Sequence, residues 1–193
     1  MSKRVFIIHG WDGYPEEGIF PWLKKELQNR GFAVFNPAMP NPLTPKIEEW
    51  IPFLAEQVGK IDEETFFVGH SIGAQAVIRY LETLSENEKA GGVFLLAPWF
   101  HLTEEAFEDD DDPLIAQPWI ETPIDYEKVK QKANKITAVF SDNDPVVPLA
   151  DAEIFKDKLS AKIIVEHDKG HFSGDSGIKE LPSTLEAVLE IAE

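Results

Sequence analysis

Thr65-Phe66-Phe67-Val68-Gly69-His70-Ser71-Ile72-Gly73-Ala74-Gln75-Ala76-Val77-Ile78-Arg79-Tyr80-Leu81 is the stretch on which the fold turns. Its first four residues are apolar and β-prone. From Ala74 onward the pattern is helix-like. Between the two runs stands a serine with a glycine two residues before it and another two residues after. Strand, tight turn and helix in that order, with serine at the apex, is the pattern of a nucleophile elbow. In so tight a turn, side chains at 69 and 73 would collide with the neighbouring strand and helix. The serine is held at a strained position above the sheet, which predicts a positive φ at Ser71.

Apolar runs of strand length recur on either side of this stretch: Val5–Ile8, Phe32–Phe35, Thr65–Val68, Val93–Ala97, Ile136–Phe140 and Ile163–Val165. They do not alternate with polar residues, which suggests strands covered on both faces, as in a parallel sheet. Helical patterns lie between them at Pro21–Leu27, Ile47–Val58, Ala74–Leu84, Tyr126–Ala133, Ala150–Leu159 and Leu185–Ile191. Alternating strands and helices imply right-handed crossovers and a layered α/β fold. One reversal beside the first strand gives a six-stranded parallel sheet in the order 2-1-3-4-5-6, with helices on both faces. Two stretches break the rhythm: the proline-rich segment Ala38–Pro45 and a long connection, Pro98–Asp125. There is no internal repeat and no linker, so residues 1–193 read as a single domain.

The charge balance limits the partners. With 18 basic and 35 acidic residues the net charge is −17. That disfavours nucleic acid and anionic membranes as partners and would repel polyanionic substrates. There are no cysteines, which removes disulfides, thiolate metal sites and a cysteine nucleophile together. Val5–Ile8 is too short for a signal peptide or a membrane span, so the expectation is a cytoplasmic protein without processing.

A serine hydroxyl is a poor nucleophile until a base takes its proton. Five histidines are available: His9, His70, His101, His167 and His171. His70 abuts the serine and is badly placed to reach back to its hydroxyl. His171 lies just beyond the last strand, and loops after parallel strands converge at the sheet's carboxyl edge, where Ser71 also sits. His171 is therefore the candidate base. The orienting acid is sought in Ser141-Asp142-Asn143-Asp144-Pro145, which follows the fifth strand. Asp144, fixed by the following proline, is the choice and Asp142 the rival. The resulting chain order, Ser71, Asp144, His171, is that of α/β-hydrolases. Oxyanion donors are expected from the backbone N–H groups of Ile72 and Trp11, the latter in the glycine turn after the first strand.

At this point the chain resembles the small serine hydrolases of the α/β-hydrolase fold, the family of the human retinoblastoma-binding serine hydrolase. The resemblance rests on Val5-Phe6-Ile7-Ile8-His9-Gly10, Pro21-Trp22-Leu23-Lys24-Lys25-Glu26-Leu27, Met39-Pro40-Asn41-Pro42, Val68–Gly73, Ser141–Pro145 and Gly170-His171-Phe172. It covers essentially the whole length. It implies a compact α/β-hydrolase without a large cap domain, with Ser71 as nucleophile, Asp144 as acid and His171 as base. The retinoblastoma association suggested for the human member depends on a Leu-x-Cys-x-Glu segment. A chain without cysteine does not carry it, so no retinoblastoma-type partner is inferred.

The reading that follows is a serine hydrolase of small esters or other acyl compounds, with an acyl-enzyme intermediate and no metal or organic cofactor. The alternative is a hydrolase-fold interaction protein with little turnover. A flavodoxin-like ligand binder is disfavoured, because no glycine-rich phosphate loop follows the first strand. Trp11, Trp99 and Phe100 are candidates for an acyl pocket; Trp119 equally suits packing. The acidic run Glu108–Asp112 reads as a solvated, mobile stretch rather than a metal site, because adjacent like charges repel.

Overall fold

Each apolar run forms a strand in the computed structural model, which describes residues 2–193, the side chain of Asp175 excepted. In chain order the strands are β1 (Arg4–Ile8), β2 (Ala33–Phe35), β3 (Thr65–His70), β4 (Gly92–Leu96), β5 (Ile136–Ser141) and β6 (Lys162–Glu166). They pair in the order β2-β1-β3-β4-β5-β6, and every pairing is parallel. The helices are α1 (Phe20–Asn29), α2 (Ile47–Val58), α3 (Ile72–Thr83), α4 (Asp112–Glu121), α5 (Tyr126–Gln131), α6 (Asp151–Leu159) and α7 (Pro182–Ile191). On one face of the sheet α1 packs against α7. On the other, α2, α3, α5 and α6 touch in succession. This is the α/β-hydrolase arrangement. Among the described residues, no helix is long and apolar enough to cross a membrane.

Burial explains why the strand runs do not alternate. Residues 5–8, 65–70, 92–96 and 136–141 are buried throughout, because β1, β3, β4 and β5 are covered on both faces. The edges differ. Phe35 on β2 and Val165 on β6 are exposed, as expected where one side lacks a neighbouring strand. The register sets the carboxyl edge: Ile8 lies beside Gly69, His70 beside Leu96 and Ser141 beside Glu166. The loops carrying residues 9–13, 71, 97–103, 141–147 and 167–173 therefore leave the sheet on one side.

The proline-rich segment is held by indoles. Trp50 Nε1 donates to the Pro40 carbonyl at 2.7 Å, Trp11 Nε1 to Leu43 at 3.0 Å and Trp119 Nε1 to Pro45 at 3.0 Å. Prolines cannot donate to a neighbour, so the segment's carbonyls need donors from elsewhere. Trp50 and Trp119 meet edge to face, 6.0 Å between ring centroids.

The long connection after β4 differs from its reading as a loop. It contains a single 3-10 turn at Glu104–Ala106 and the helix α4. Pro113 opens α4 and Pro118 lies inside it, and only Ala116 and Trp119 are buried. Two prolines and a narrow apolar stripe conceal such a helix from periodicity. The acidic residues 108–111 are exposed. The Asp112 carboxylate accepts the main-chain N–H groups of Glu108 and Asp109, both at 2.9 Å.

Candidate active site

Ser71 stands between β3 and α3 with φ 52° and ψ −121°, outside the regions a non-glycine residue ordinarily takes. Its N–H donates to the Leu96 carbonyl at 2.9 Å, and its own carbonyl accepts from Ala74 N–H at 2.9 Å. The flanking glycines are steric necessities of different origin. A Cβ on Gly69 would stand 2.7 Å from the Cα of Ala74, inside the helix that follows; one on Gly73 would stand 2.5 Å from the Ile8 carbonyl oxygen, at the end of β1. Ser71 is 7% exposed. Strain of this kind costs of order 1–3 kcal/mol and persists only where the surroundings enforce it.

Asp144 and His171 come together from the loops after β5 and β6. The ring Nδ1 of His171 lies 3.1 and 2.9 Å from the two carboxylate oxygens of Asp144. Asp144 is further held by the N–H groups of Val146 and Val147, at 2.8 and 3.1 Å. The pair is desolvated: the Asp144 side chain is 2% exposed and that of His171 14%. With the proton on Nδ1 facing the carboxylate, Nε2 of the neutral ring is a lone-pair acceptor. Among the described hydrogen bonds, those of that ring go to Asp144 and none to the Ser71 hydroxyl.

The rival carboxylate is taken. Asp142 Oδ2 faces His167 Nδ1 at 2.7 Å, and His167 Nε2 faces Asp168 Oδ2 at 2.9 Å. The hydrogen bond to Asp142 raises the His167 pKa, and the same bond lowers that of Asp142. Among the described residues these three are also the group whose ligand-type atoms lie close enough to share a metal ion, and all are exposed. An imidazolium between two carboxylates accounts for the arrangement without one.

The oxyanion candidates lie where the turn after β1 meets the elbow. A Cβ on Gly10 would stand 3.5 Å from that of Ser71, so the turn carrying Trp11 abuts the serine. Ile72 opens α3, where main-chain N–H groups lack intrahelical partners and the helix dipole is positive. Among the described residues, neither the Trp11 nor the Ile72 N–H meets a protein acceptor outside regular structure. The turn is braced by His9: its Nδ1–H donates to the Gly10 carbonyl and its Nε2 accepts from Met39 N–H, each at 2.9 Å. Burial lowers the His9 pKa, keeping the ring neutral for that acceptor role.

The proposed pocket aromatics divide. Trp11 is half-buried beside the site. Trp99 and Phe100 belong to the hydrophobic core, at 1% and 8% exposure, and Phe100 stacks on Phe155 at 4.3 Å. Both side chains are drawn into the core. The reason is Asp151, the first residue of α6. Its buried carboxylate accepts the N–H groups of Phe100 and His101, at 2.6 and 2.8 Å, and the His101 Nδ1–H at 2.7 Å. That draws the segment after β4 inward. In sequence Asp151 looks like any acidic residue in a helix's first turn, so nothing signals this role. Gln75 and Arg79 are different: polar residues in the otherwise apolar stripe of α3, both buried. They donate to the carbonyls of Trp99 and Trp119, each at 2.7 Å.

A cleft of about 770 Å³ opens next to these loops, its wall including Asp12, Tyr14, Glu17, Trp22, Gly174 and Lys179. Asp12 follows Trp11 directly, and Gly174 lies three residues past His171. Ser71 is not in its wall. A second concavity, about 520 Å³, lies beside Ile136 and Lys162 at the starts of β5 and β6, away from every candidate residue.

Known proteins share both sequence and architecture with this chain. YdeN of Bacillus subtilis is 29% identical over 188 residues, covering 94% of this chain and 92% of its own. Its crystal structure superposes with a TM-score of 0.89, covering 98% of both chains. The serine hydrolase RBBP9 of Rattus norvegicus is 30% identical over 165 residues, 85% of this chain and 78% of its own. Est1E of Butyrivibrio proteoclasticus, solved with ferulic acid bound, shares the fold at a TM-score of 0.73 and 17% identity, covering 97% of this chain and 86% of its own. The sequence pattern of the serine hydrolase family matches residues 5–190, and with that match this chain belongs to the serine hydrolase family.

Proposed function

We propose that the protein hydrolyses small esters or related acyl compounds through Ser71, His171 and Asp144. The observation that carries the reading is the desolvated His171–Asp144 pair, set on the same sheet edge as a serine at positive φ. Ser71 Oγ attacks the acyl carbonyl while His171 Nε2 takes its proton. The oxyanion that forms is stabilised by the N–H groups of Ile72 and Trp11. His171 then protonates the leaving alkoxide, and the acyl group remains on Ser71. In the second half a water molecule loses its proton to His171, attacks the acyl-enzyme, and releases the acid and free serine. Asp144 holds the ring tautomer and stabilises the imidazolium that forms twice per cycle. This chemistry calls on no metal or organic group. The open contact between Ser71 and His171 fits a free enzyme, where such bonds are often long until substrate closes them.

The test combines a fluorophosphonate label with a panel of p-nitrophenyl esters of increasing acyl length. Wild-type protein is expected to take up one label at Ser71 and to turn over short esters, and Ser71→Ala to do neither. Absence of both in the folded wild-type protein would mean an interaction scaffold instead.

A further inference from the structure

The loop that carries His171 leaves β6 and is hydrogen-bonded to the end of the neighbouring strand β5 and the turn that follows it. Asp168 N–H donates to Asp142 Oδ1 at 3.0 Å, Lys169 N–H to Ser141 Oγ at 3.0 Å and Gly170 N–H to Asn143 Oδ1 at 2.8 Å. The His171 ring itself is bound to Asp144. All four partners belong to the β5 side, two strands away from β3 in the sheet. Residues 168, 170 and 172 each have φ between 53° and 57°, so the loop is a succession of sharp turns whose position must be imposed from outside. Among the described hydrogen bonds, one joins it to the strand that bears the nucleophile. His70 Nε2 lies 2.7 Å from the His171 carbonyl oxygen. Because a carbonyl can only accept, that nitrogen carries the proton.

We propose that His70 is a positioning residue: its Nε2–H fixes the main chain of His171 and so sets the distance between the base and Ser71. The inference rests on the Ser71–His171 reading above. His70 is suited to the task by where it stands. It precedes Ser71 directly, so its backbone moves with the nucleophile. Its ring is buried between two parts of the site. On one side the His171 ring is 5.0 Å away between centroids; on the other, a Cβ on Gly10 would stand 3.0 Å from Nδ1. Phe20 closes a third side, edge on at 6.1 Å. The charged and titratable groups that face it are His171, Asp144 and His9. Burial, with His171 next, pushes its pKa down to about 3, so the ring is neutral wherever His171 works as a base. It can hold the base without competing for its proton.

Three variants separate this role from packing. Gln places its amide nitrogen close to where the histidine has Nε2 and keeps the donor; Phe keeps the ring and loses it; Asn has a donor too short to reach. With p-nitrophenyl acetate, His70→Phe and His70→Asn are expected to lose on the order of 10- to 100-fold in kcat, the scale of a misplaced catalytic group. KM should stay within about threefold, as expected when only transition-state alignment is lost. His70→Gln is expected to keep most of the wild-type kcat and the wild-type midpoint of the acid limb in kcat/KM. Rates are referred to protein shown to be folded by circular dichroism. The proposal is overturned if His70→Phe keeps the wild-type kcat, if His70→Gln falls as far as His70→Phe, or if His70→Gln loses the acid limb. A Ser71→Ala control keeps the two ideas apart. Undiminished turnover there defeats the hydrolase reading itself, whereas a dead Ser71→Ala beside a fully active His70→Phe defeats only the positioning role.

Discussion

Asp142 and Asp144 sit two residues apart on one loop, and the structure gives each a histidine of its own. Only the Asp144 pair is desolvated; the Asp142–His167 pair is open to water, with side chains 37% and 81% exposed. An exposed ion pair contributes little, and a carboxylate that fixes a catalytic imidazole contributes much. On the proposed mechanism Asp144→Asn should therefore lower kcat by about 10²- to 10⁴-fold, since the amide favours the wrong ring tautomer. Asp142→Asn should leave kcat within about threefold of wild type, as surface changes do. Equal losses in steady-state kinetics would show that Asp144 is not the acid that orients the base. His70 makes a separate prediction about stability. The unfolded chain protonates this histidine as the pH drops below about 6.5, while the folded chain resists until about 3. More protons bind to the unfolded state across that window, so folded stability falls as the pH falls. His70→Gln removes one such group. Between pH 7 and 4.5 the variant should gain of order 2 kcal/mol relative to wild type, read from urea unfolding at each pH. Candidate residues such as Ser71, Asp144 and His171 are readable from sequence because each follows a strand and chain order constrains its role. The part His70 plays was hidden, because it depends on where a ring points after two distant loops have met.

At the scale of elements, the strands announce themselves and α4 does not. Buried parallel strands need uninterrupted apolar runs, and residues 5–8, 65–68 and 93–97 supply them. The edge strand β2, paired with β1 alone, is three residues long. The elbow helix begins at Ile72, two residues earlier than its apolar spacing suggests, because the turn at Ser71 is too sharp to leave a linker. In α4 the signal is split between prolines and a stripe of two buried residues, and its stability has to come from tertiary contacts. Trp119 provides them. Its indole N–H meets the Pro45 carbonyl, its own carbonyl accepts from Arg79, and the Arg79 guanidinium lies 5.9 Å from its ring centroid. Trp119→Ala is expected to cost about 3–5 kcal/mol in denaturant unfolding, the usual loss for a buried aromatic. Ile120→Ala, at a neighbour that is 41% exposed, should cost no more than about 1 kcal/mol. If the two variants unfold alike, α4 is not anchored as described.

The whole molecule carries 17 more negative than positive charges, and that excess acts at a longer range than any pair of side chains. The local pairings do not remove it. Several lysines are already matched with carboxylates, among them Lys130 with Glu127, Lys156 with Glu153 and Lys162 with Glu190. The field around the protein is negative, and the cleft beside the site adds Asp12, Glu16, Glu17 and Glu180 against a single Lys179. A negatively charged acyl ester approaches this surface against repulsion, whereas a neutral ester of the same size does not. The repulsion extends over roughly 30 Å at 0.01 M salt and is cut to about 8 Å at 0.15 M. The hydrolase reading therefore predicts that a p-nitrophenyl hemisuccinate has a lower kcat/KM than the neutral butyrate in dilute buffer. The gap should narrow several-fold as sodium chloride is raised to 0.5 M, with the neutral ester nearly unaffected. The effect should lie in KM more than in kcat, because the field acts on approach and binding rather than on the oxyanion, which the main-chain donors meet at close range. A gap that ignores salt would place the discrimination in a direct contact at the site; no gap at all would mean that the surface charge does not reach the substrate.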